Sequence, residues 1–256
     1  IHNTSFAITN EQSRFTLSGA KFILGEGIAK MVTTDGHRLA YIERAVDGAG
    51  DTEMDTLIPK KALIELTKIA RTSDGNVSFG EDTNHIYFEV EGRLLTTRKL
   101  SGTFPNYEMV IPKDNDKTAI FESVDLKRAV DRIALMADER TRSIRLTVRE
   151  GEIELSAQSN EEGEGREQIP AEYTGEEIEL GFNSQYLQEF LNIVTSSEMV
   201  APETQNETEG EKVKVKETGS KPKIAFEFKD SNGQTQMSFA GDTEYDYKYI
   251  VMPLRI

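Results

Sequence analysis

The sequence predicts an α+β protein in which one domain plan is used twice. Short runs that alternate apolar and polar residues, separated by Asp-Gly, Glu-Asp and Glu-Gly pairs, read as antiparallel strands. Three stretches with apolar residues at helical spacing read as amphipathic helices. The two halves also repeat one order of elements: a strand pair, a strand running into a helix (57–70, then 178–194), and further strands to 110 and to 252. With 256 residues and ~100 to 150 residues per domain, two domains are expected. The polar stretch at 112–117 sets the boundary, giving 1–112 and 113–256.

In chain order, residues 1–9 read as the end of a helix, and 14–18 and 21–24 as strand pieces around Gly19. The runs 29–34 and 39–42 flank Asp35-Gly36, a hairpin signal because glycine takes positive φ without a steric penalty. Pro59 suits the first turn of a helix over 60–71, with Leu63, Leu66, Ile69 and Ala70 as its apolar stripe. Strands follow at 76–79, 85–90 and 93–100. Ser123 is placed to cap a helix over 124–138 whose apolar face is Leu126, Ala129, Val130, Ile133 and Ala134. Strands at 144–148, 152–157 and 178–182 lead through Asn183 into a helix over 184–194, and strands at 224–228, 236–240 and 247–252 finish the chain. The stretch 196–222 is rich in Glu, Lys, Thr and Gly and poor in apolar residues, so it reads as an acidic surface loop inserted into the second domain.

Composition narrows the chemistry. The absence of cysteine rules out a disulfide scaffold, zinc-thiolate ligation and a thiol nucleophile, and agrees with a reducing cytoplasm. Three histidines leave little for a metal site, and no cofactor motif is present. No apolar run approaches the ~18 residues of a bilayer span, so no membrane partner is expected. The first residues, Ile1-His2-Asn3-Thr4-Ser5, are neither a signal peptide nor a start methionine, and the chain reads as a piece of a longer protein. A net charge of -15 argues against wrapping nucleic acid unless cations cluster locally.

They do cluster. The helix over 60–71 carries Lys60, Lys61, Lys68 and Arg71, and the helix over 124–138 carries Lys127, Arg128 and Arg132. These are either ordinary solvated faces or a positive surface for a phosphate backbone. The exposed positions of the third helix, Gln185, Gln188, Glu189 and Asn192, are neutral or acidic. The hairpin at 33–40 is similarly open between a polar turn and the rim of a binding pocket. An enzyme using Asp35 and His37 is the rival reading, but no second histidine or carboxylate stands at ligand spacing and no glycine-rich phosphate loop occurs. A generic β-rich recognition module is the other.

Four stretches together resemble the bacterial DNA polymerase sliding clamp, the beta subunit of the replicative polymerase. They are Thr34-Asp35-Gly36-His37-Arg38-Leu39-Ala40, Phe104-Pro105-Asn106-Tyr107, Gly181-Phe182-Asn183 and Val251-Met252-Pro253-Leu254-Arg255-Ile256. Their order and spacing carry the likeness over nearly the whole chain. It implies a DNA-clamp fold, with antiparallel sheets outside and helices on an inner, DNA-facing side, and a non-catalytic processivity factor acting in the cytoplasm. The family's subunit has three similar domains, and two subunits form a ring around duplex DNA. This chain matches the second and third domains.

The resemblance further implies a pocket for short peptides, of the Gln-Leu-x-Leu-Phe type, carried by DNA polymerases, the clamp loader and repair proteins. Its residues would be Leu17, Thr34, Gly36, His37, Arg38, Leu39, Pro105 and Val110 from the first half. Asn183, Tyr186, Ile250, Met252, Pro253, Leu254 and Arg255 would come from the second. Arg38, His37 and Asn183 would fix peptide polar groups. Lys60, Lys61, Lys68, Arg71, Lys127, Arg128 and Arg132 would face DNA, and Leu135 and Met136 would fall at the subunit interface. Met109 departs from the family pattern, which often has a basic residue there, and 196–222 is an insertion. Full-length subunits are expected to form homodimers, and this portion, without a first domain, to be mostly monomeric.

Overall fold

A computed structural model of the chain describes residues 1–11, 13–47, 52–73, 75–159, 163–196, 222–241 and 243–255. The acidic stretch 197–221, and Ile256, lie outside the described residues. The first half contains β1 (Gly19–Gly25), β2 (Ile28–Thr34), β3 (Arg38–Ala45), β4 (Met54–Pro59), α1 (Lys60–Ala70), β5 (Ser78–Glu81), β6 (His85–Val90) and β7 (Arg93–Arg98). The second contains β8 (Lys117–Glu122), α2 (Ser123–Ile133), β9 (Ser143–Arg149), β10 (Glu152–Ser159), β11 (Gly163–Pro170), β12 (Ile178–Asn183), α3 (Ser184–Val194), β13 (Lys223–Phe228), β14 (Thr235–Phe239) and β15 (Asp246–Val251).

Among the described residues all strand pairs are antiparallel, and the two halves share one eight-stranded sheet in the order β4-β1-β2-β3-β15-β14-β13-β8. A four-stranded sheet, β11-β10-β9-β12, belongs to the second half and a three-stranded one, β5-β6-β7, to the first. In the second half each helix's leading strand pairs with the other trio: β8 precedes α2 but joins β13, and β12 precedes α3 but joins β9. β4, α1 and β5–β7 follow the order of β12, α3 and β13–β15, which is the repeated plan read from the sequence.

Strand alternation divides the large sheet into two faces. Ladder partners Ala20–Ile58, Phe22–Met31, Ala40–Tyr249, Met237–Tyr249 and Ile224–Phe121 share one face, and their side chains join the two main cores. The apolar sides of α1 (Ala62, Leu63, Leu66), α2 (Leu126, Ala129, Val130, Ile133) and α3 (Leu187, Phe190, Leu191, Val194) belong to these same cores. All three helices therefore cover one face of the shared sheet. On the opposite face Val32, Leu39, Tyr41, Leu57 and Ile250 form a third, smaller core with Leu17, Phe104 and Tyr107.

Several local expectations are corrected. Residues 14–18 do not form a strand: Phe15–Leu17 is a 3-10 turn, closed by the Leu17 amide donating to Arg14 O (2.9 Å), which folds Leu17 inward. Ser5–Ala7 is likewise a 3-10 turn. Ser123 does not cap α2. It is the first helical residue, Glu122 takes the cap position, and the buried Ser123 hydroxyl has no hydrogen-bond partner among the described residues. α2 ends at Ile133 and tightens into a 3-10 turn over Ala134–Met136, short of 138. Two strands, β8 and β11, go beyond the sequence expectation; in β11, Gly163, Gly165 and the charged residues leave almost no apolar alternation to read.

Candidate functional site

The hairpin between β2 and β3 has Thr34 and Leu39 as its last paired residues, so 35–38 make the turn. Gly36 takes φ +94°, which a side chain would strain. Thr34 organises the turn, its hydroxyl donating to Arg38 O (2.5 Å) and accepting from the Gly36 amide (3.0 Å). The Asp35 carboxylate accepts from the His37 and Arg38 amides (2.9 and 3.1 Å). The turn is locked from within, and His37 stands exposed at its tip.

Beside it lies a cavity of about 200 Å³ lined by Leu17, Thr34, Gly36, His37, Arg38, Leu39, Pro105, Tyr107, Val110, Ile250 and Met252. Leu39 and Ile250 are ladder partners on β3 and β15, so each half supplies one residue of the floor. The Met252 amide donates to His37 O (3.1 Å), tying the segment after β15 to the turn. A space of this size accepts one aliphatic or aromatic side chain, since ~150 Å³ suffices for benzene. Another cavity, about 300 Å³ on the β9–β10–β11 sheet, is polar; its arginines are engaged, Arg145 with Glu179 (3.5 Å) and Arg166 with Glu164 (2.6 Å).

Arg38 lines the cavity, and its guanidinium is held by four partners within the protein. It meets Asp35 (Nε to Oδ2, 3.0 Å), Glu189 on α3 (Nη2 to Oε2, 2.6 Å), Phe6 O (3.0 Å) and the Tyr249 hydroxyl (3.4 Å). It also lies 4.5 Å from the Tyr186 ring centre. Burial alone would lower its pKa; Tyr249 and Glu189 outweigh burial and hold the proton more firmly. Burial pushes the Tyr249 hydroxyl up, against the pull of Arg38. Phe190 stacks on Tyr249 at 5.0 Å. The amino-terminal segment completes the joint: Thr33 donates to Thr4 O (2.6 Å) and Tyr247 to Asn3 O (2.9 Å).

Of the other pocket candidates, Asn183 does not line the cavity; its Oδ1 accepts the Gln185 amide (2.9 Å) as the cap of α3. Tyr186 contributes through Arg38 and accepts at its carbonyl from the Tyr249 hydroxyl (3.1 Å). Leu254 bridges to Gly181 (2.8 Å), and Pro253, Leu254 and Arg255 are outside the lining set. Tyr107 lines the cavity although it is not among the expected pocket residues; the signal was its place in the Phe104–Tyr107 motif, beside Pro105. Glu189, a solvent position by helical spacing, is instead the partner of Arg38. Helical periodicity cannot show a contact made across two halves.

Several cations of the basic helices are already engaged within the chain. Lys60 Nζ donates to Asn10 Oδ1 (2.8 Å), Lys68 pairs with Glu65 (2.9 Å), Lys127 with Asp131 (2.5 Å) and Arg132 with Glu167. Lys61 and Arg128 are exposed and have no ion pair among the described residues. Leu135 is 71% exposed, whereas Met136 packs partly against the core. Among the described residues no cluster of three His, Cys, Asp or Glu could hold a metal ion. No helix among them is long and apolar enough to cross a membrane.

Residues 1–106 match the central domain of the DNA polymerase III beta subunit, and residues 108–201 match its C-terminal domain. The chain belongs to the beta sliding clamp family. It is 28% identical to the beta sliding clamp of Pseudomonas putida over all 256 residues, covering 100% of this chain and 62% of that protein. A crystal structure of the Pseudomonas aeruginosa sliding clamp bound to griselimycin superposes with a TM-score of 0.84 at 27% identity, over 99% of this chain and 62% of that one. The Caulobacter crescentus DNA polymerase sliding clamp gives 0.81 at 29%, over 99% and 62%. The clamp fold expected from the four motifs is thus present, in a chain that spans about three fifths of the length of these relatives.

Proposed function

We propose that this chain supplies the second and third domains, 1–112 and 113–256, of a DNA sliding clamp. Such a clamp tethers the replicative polymerase to duplex DNA through the cavity beside the 35–38 turn. The clamp would act in the cytoplasm as a non-catalytic processivity factor, in a ring of two full-length subunits. Its other partners would be the clamp loader and repair proteins bearing the same short peptide.

The supporting observation is the cavity itself. Leu17, Leu39, Val110, Ile250 and Met252 offer apolar surface to an anchoring Leu or Phe, each worth roughly 1.5 to 3 kcal/mol when buried. For the nucleic-acid side, support comes from α1 and α2 covering the same face of the shared sheet, with Lys61 and Arg128 exposed. Contact with DNA in such a ring is topological and non-specific, so cations steer and slide and do not read sequence.

Titration of a fluorescent Gln-Leu-Ala-Leu-Phe peptide tests the pocket. Saturable binding that is weakened by Met252→Ala and His37→Ala is expected. Absence of binding to the unaltered chain would sink the assignment.

A further inference from the structure

The turn that walls the cavity is held from the other half of the molecule. We propose that Glu189, on α3, is a positioning residue for the cavity, acting through Arg38 and Asp35; this rests on the peptide-docking reading above. Glu189 lines no part of the cavity. Its Oε2 takes Arg38 Nη2 at 2.6 Å, while Arg38 Nε takes Asp35 Oδ2 at 3.0 Å. Asp35 in turn fixes the amides of His37 and Arg38 at 2.9 and 3.1 Å. An unbroken chain of charge-assisted hydrogen bonds therefore runs from α3 to the exposed histidine at the cavity mouth.

The Arg38 side chain is only 7% exposed, against 16% for Asp35 and 30% for Glu189. Nη2 also donates to Phe6 O (3.0 Å), so removing Glu189 leaves that nitrogen on a neutral carbonyl and leaves the buried guanidinium with Asp35 as its one carboxylate partner among the described residues. With Glu189 removed, the nearest remedies are to pull Asp35 out of its bonds to the turn or to swing into the cavity that Arg38 already lines. Either distorts the wall against which a ligand packs. Because Glu189 and Asp35 belong to different halves, the cavity's shape is also coupled to how the halves sit together. Both carboxylates pull on one cation, so their effects are not additive.

The experiment measures affinity for the Gln-Leu-Ala-Leu-Phe peptide and hydrogen exchange of the His37 and Arg38 amides without peptide. Glu189→Ala is expected to weaken the peptide roughly tenfold and to speed exchange of both amides. Glu189→Gln, which keeps an acceptor at the same place, is expected to recover most of both. Asp35→Asn combined with Glu189→Ala is expected to cost less than the sum of the two. Unchanged exchange in a folded Glu189→Ala chain overturns the positioning role, as does loss of affinity that Gln does not rescue. If the unaltered chain binds no peptide while Glu189→Ala still frees the turn amides, the positioning stands and the ligand assignment fails.

Discussion

Leu39 and Ile250 stand directly opposite each other on the ladder between β3 and β15, the strand pair that joins the two halves into one sheet. They are 1% and 0% exposed. One contact is therefore part of the cavity floor and part of the joint. Leu39→Ala is expected to cost about 2 to 5 kcal/mol in chemical denaturation, through reduced burial plus the void left behind. Ile250→Val, one methylene smaller, is expected to cost about 0.5 to 1.5 kcal/mol. Because the pair is shared, Leu39→Ala should shift the unfolding of both halves. A shift confined to the first half would show that the ladder does not couple them.

Gly36 is the turn's conformational requirement. At φ +94° an added Cβ is strained, and it would sit 2.6 Å from Arg14 Nη1, which donates to Asp35 O at 2.8 Å. The arginine tip is flexible and can move, so the steric part is small and the backbone part dominates. Gly36→Ala is expected to destabilise by about 1 kcal/mol, seen as a lowered Tm, and to release Arg14 from the turn. A variant as stable as the parent would mean the turn relaxes to negative φ.

The hairpin, α1 and α3 were legible in the sequence because each is specified locally: a glycine at a turn, a proline at a helix start, apolar residues at helical spacing. The site was legible only in part. Leu39 and Ile250 are 211 positions apart (250 − 39) and meet through strand register, which short-range pattern does not encode. Asn183 shows how one residue type serves two ends: an Asn before a helix is a cap on local grounds, and the cap is what it forms. Edge strand β11 is hidden because a strand bearing Gly163, Glu164, Gly165, Arg166 and Glu167 shows little of the alternation that betrays a buried face.

Glu43 gives the face carrying the cavity an acid-sensitive support. The Tyr41 hydroxyl donates to its carboxylate and, with Lys30 and Lys248, holds its pKa below the ordinary value, against the opposing effect of burial. A carboxyl whose folded pKa is depressed adds stability above its unfolded pKa, about 4.3, and loses it as pH falls through the folded value. Tyr41→Phe is therefore expected to be less stable than the parent at pH 7. The gap should close as acid protonates Glu43 in both. Denaturation midpoints taken from pH 7 down to pH 3 check this, and a gap that stays constant would assign the loss to packing alone.

The ion pairs on the helices sort the cations into two groups with different expected roles. Lys68 and Lys127 are partnered by Glu65 and Asp131, at 2.9 and 2.5 Å, so much of their field is already answered. Lys61 and Arg128 are exposed without such partners among the described residues. In the complete protein, Lys61→Glu with Arg128→Glu is expected to weaken non-specific duplex binding and to reduce the salt dependence by about 0.9 in log–log slope for each phosphate that is no longer neutralised. Reversing Lys68 and Lys127 frees two carboxylates as well as removing two cations, so it lowers affinity too. Its effect on the slope should be smaller, since paired cations release fewer counterions from the phosphates. Filter binding across a salt series separates the cases, and equal slopes for the parent and the Lys61/Arg128 reversal would remove these helices from the DNA-facing surface.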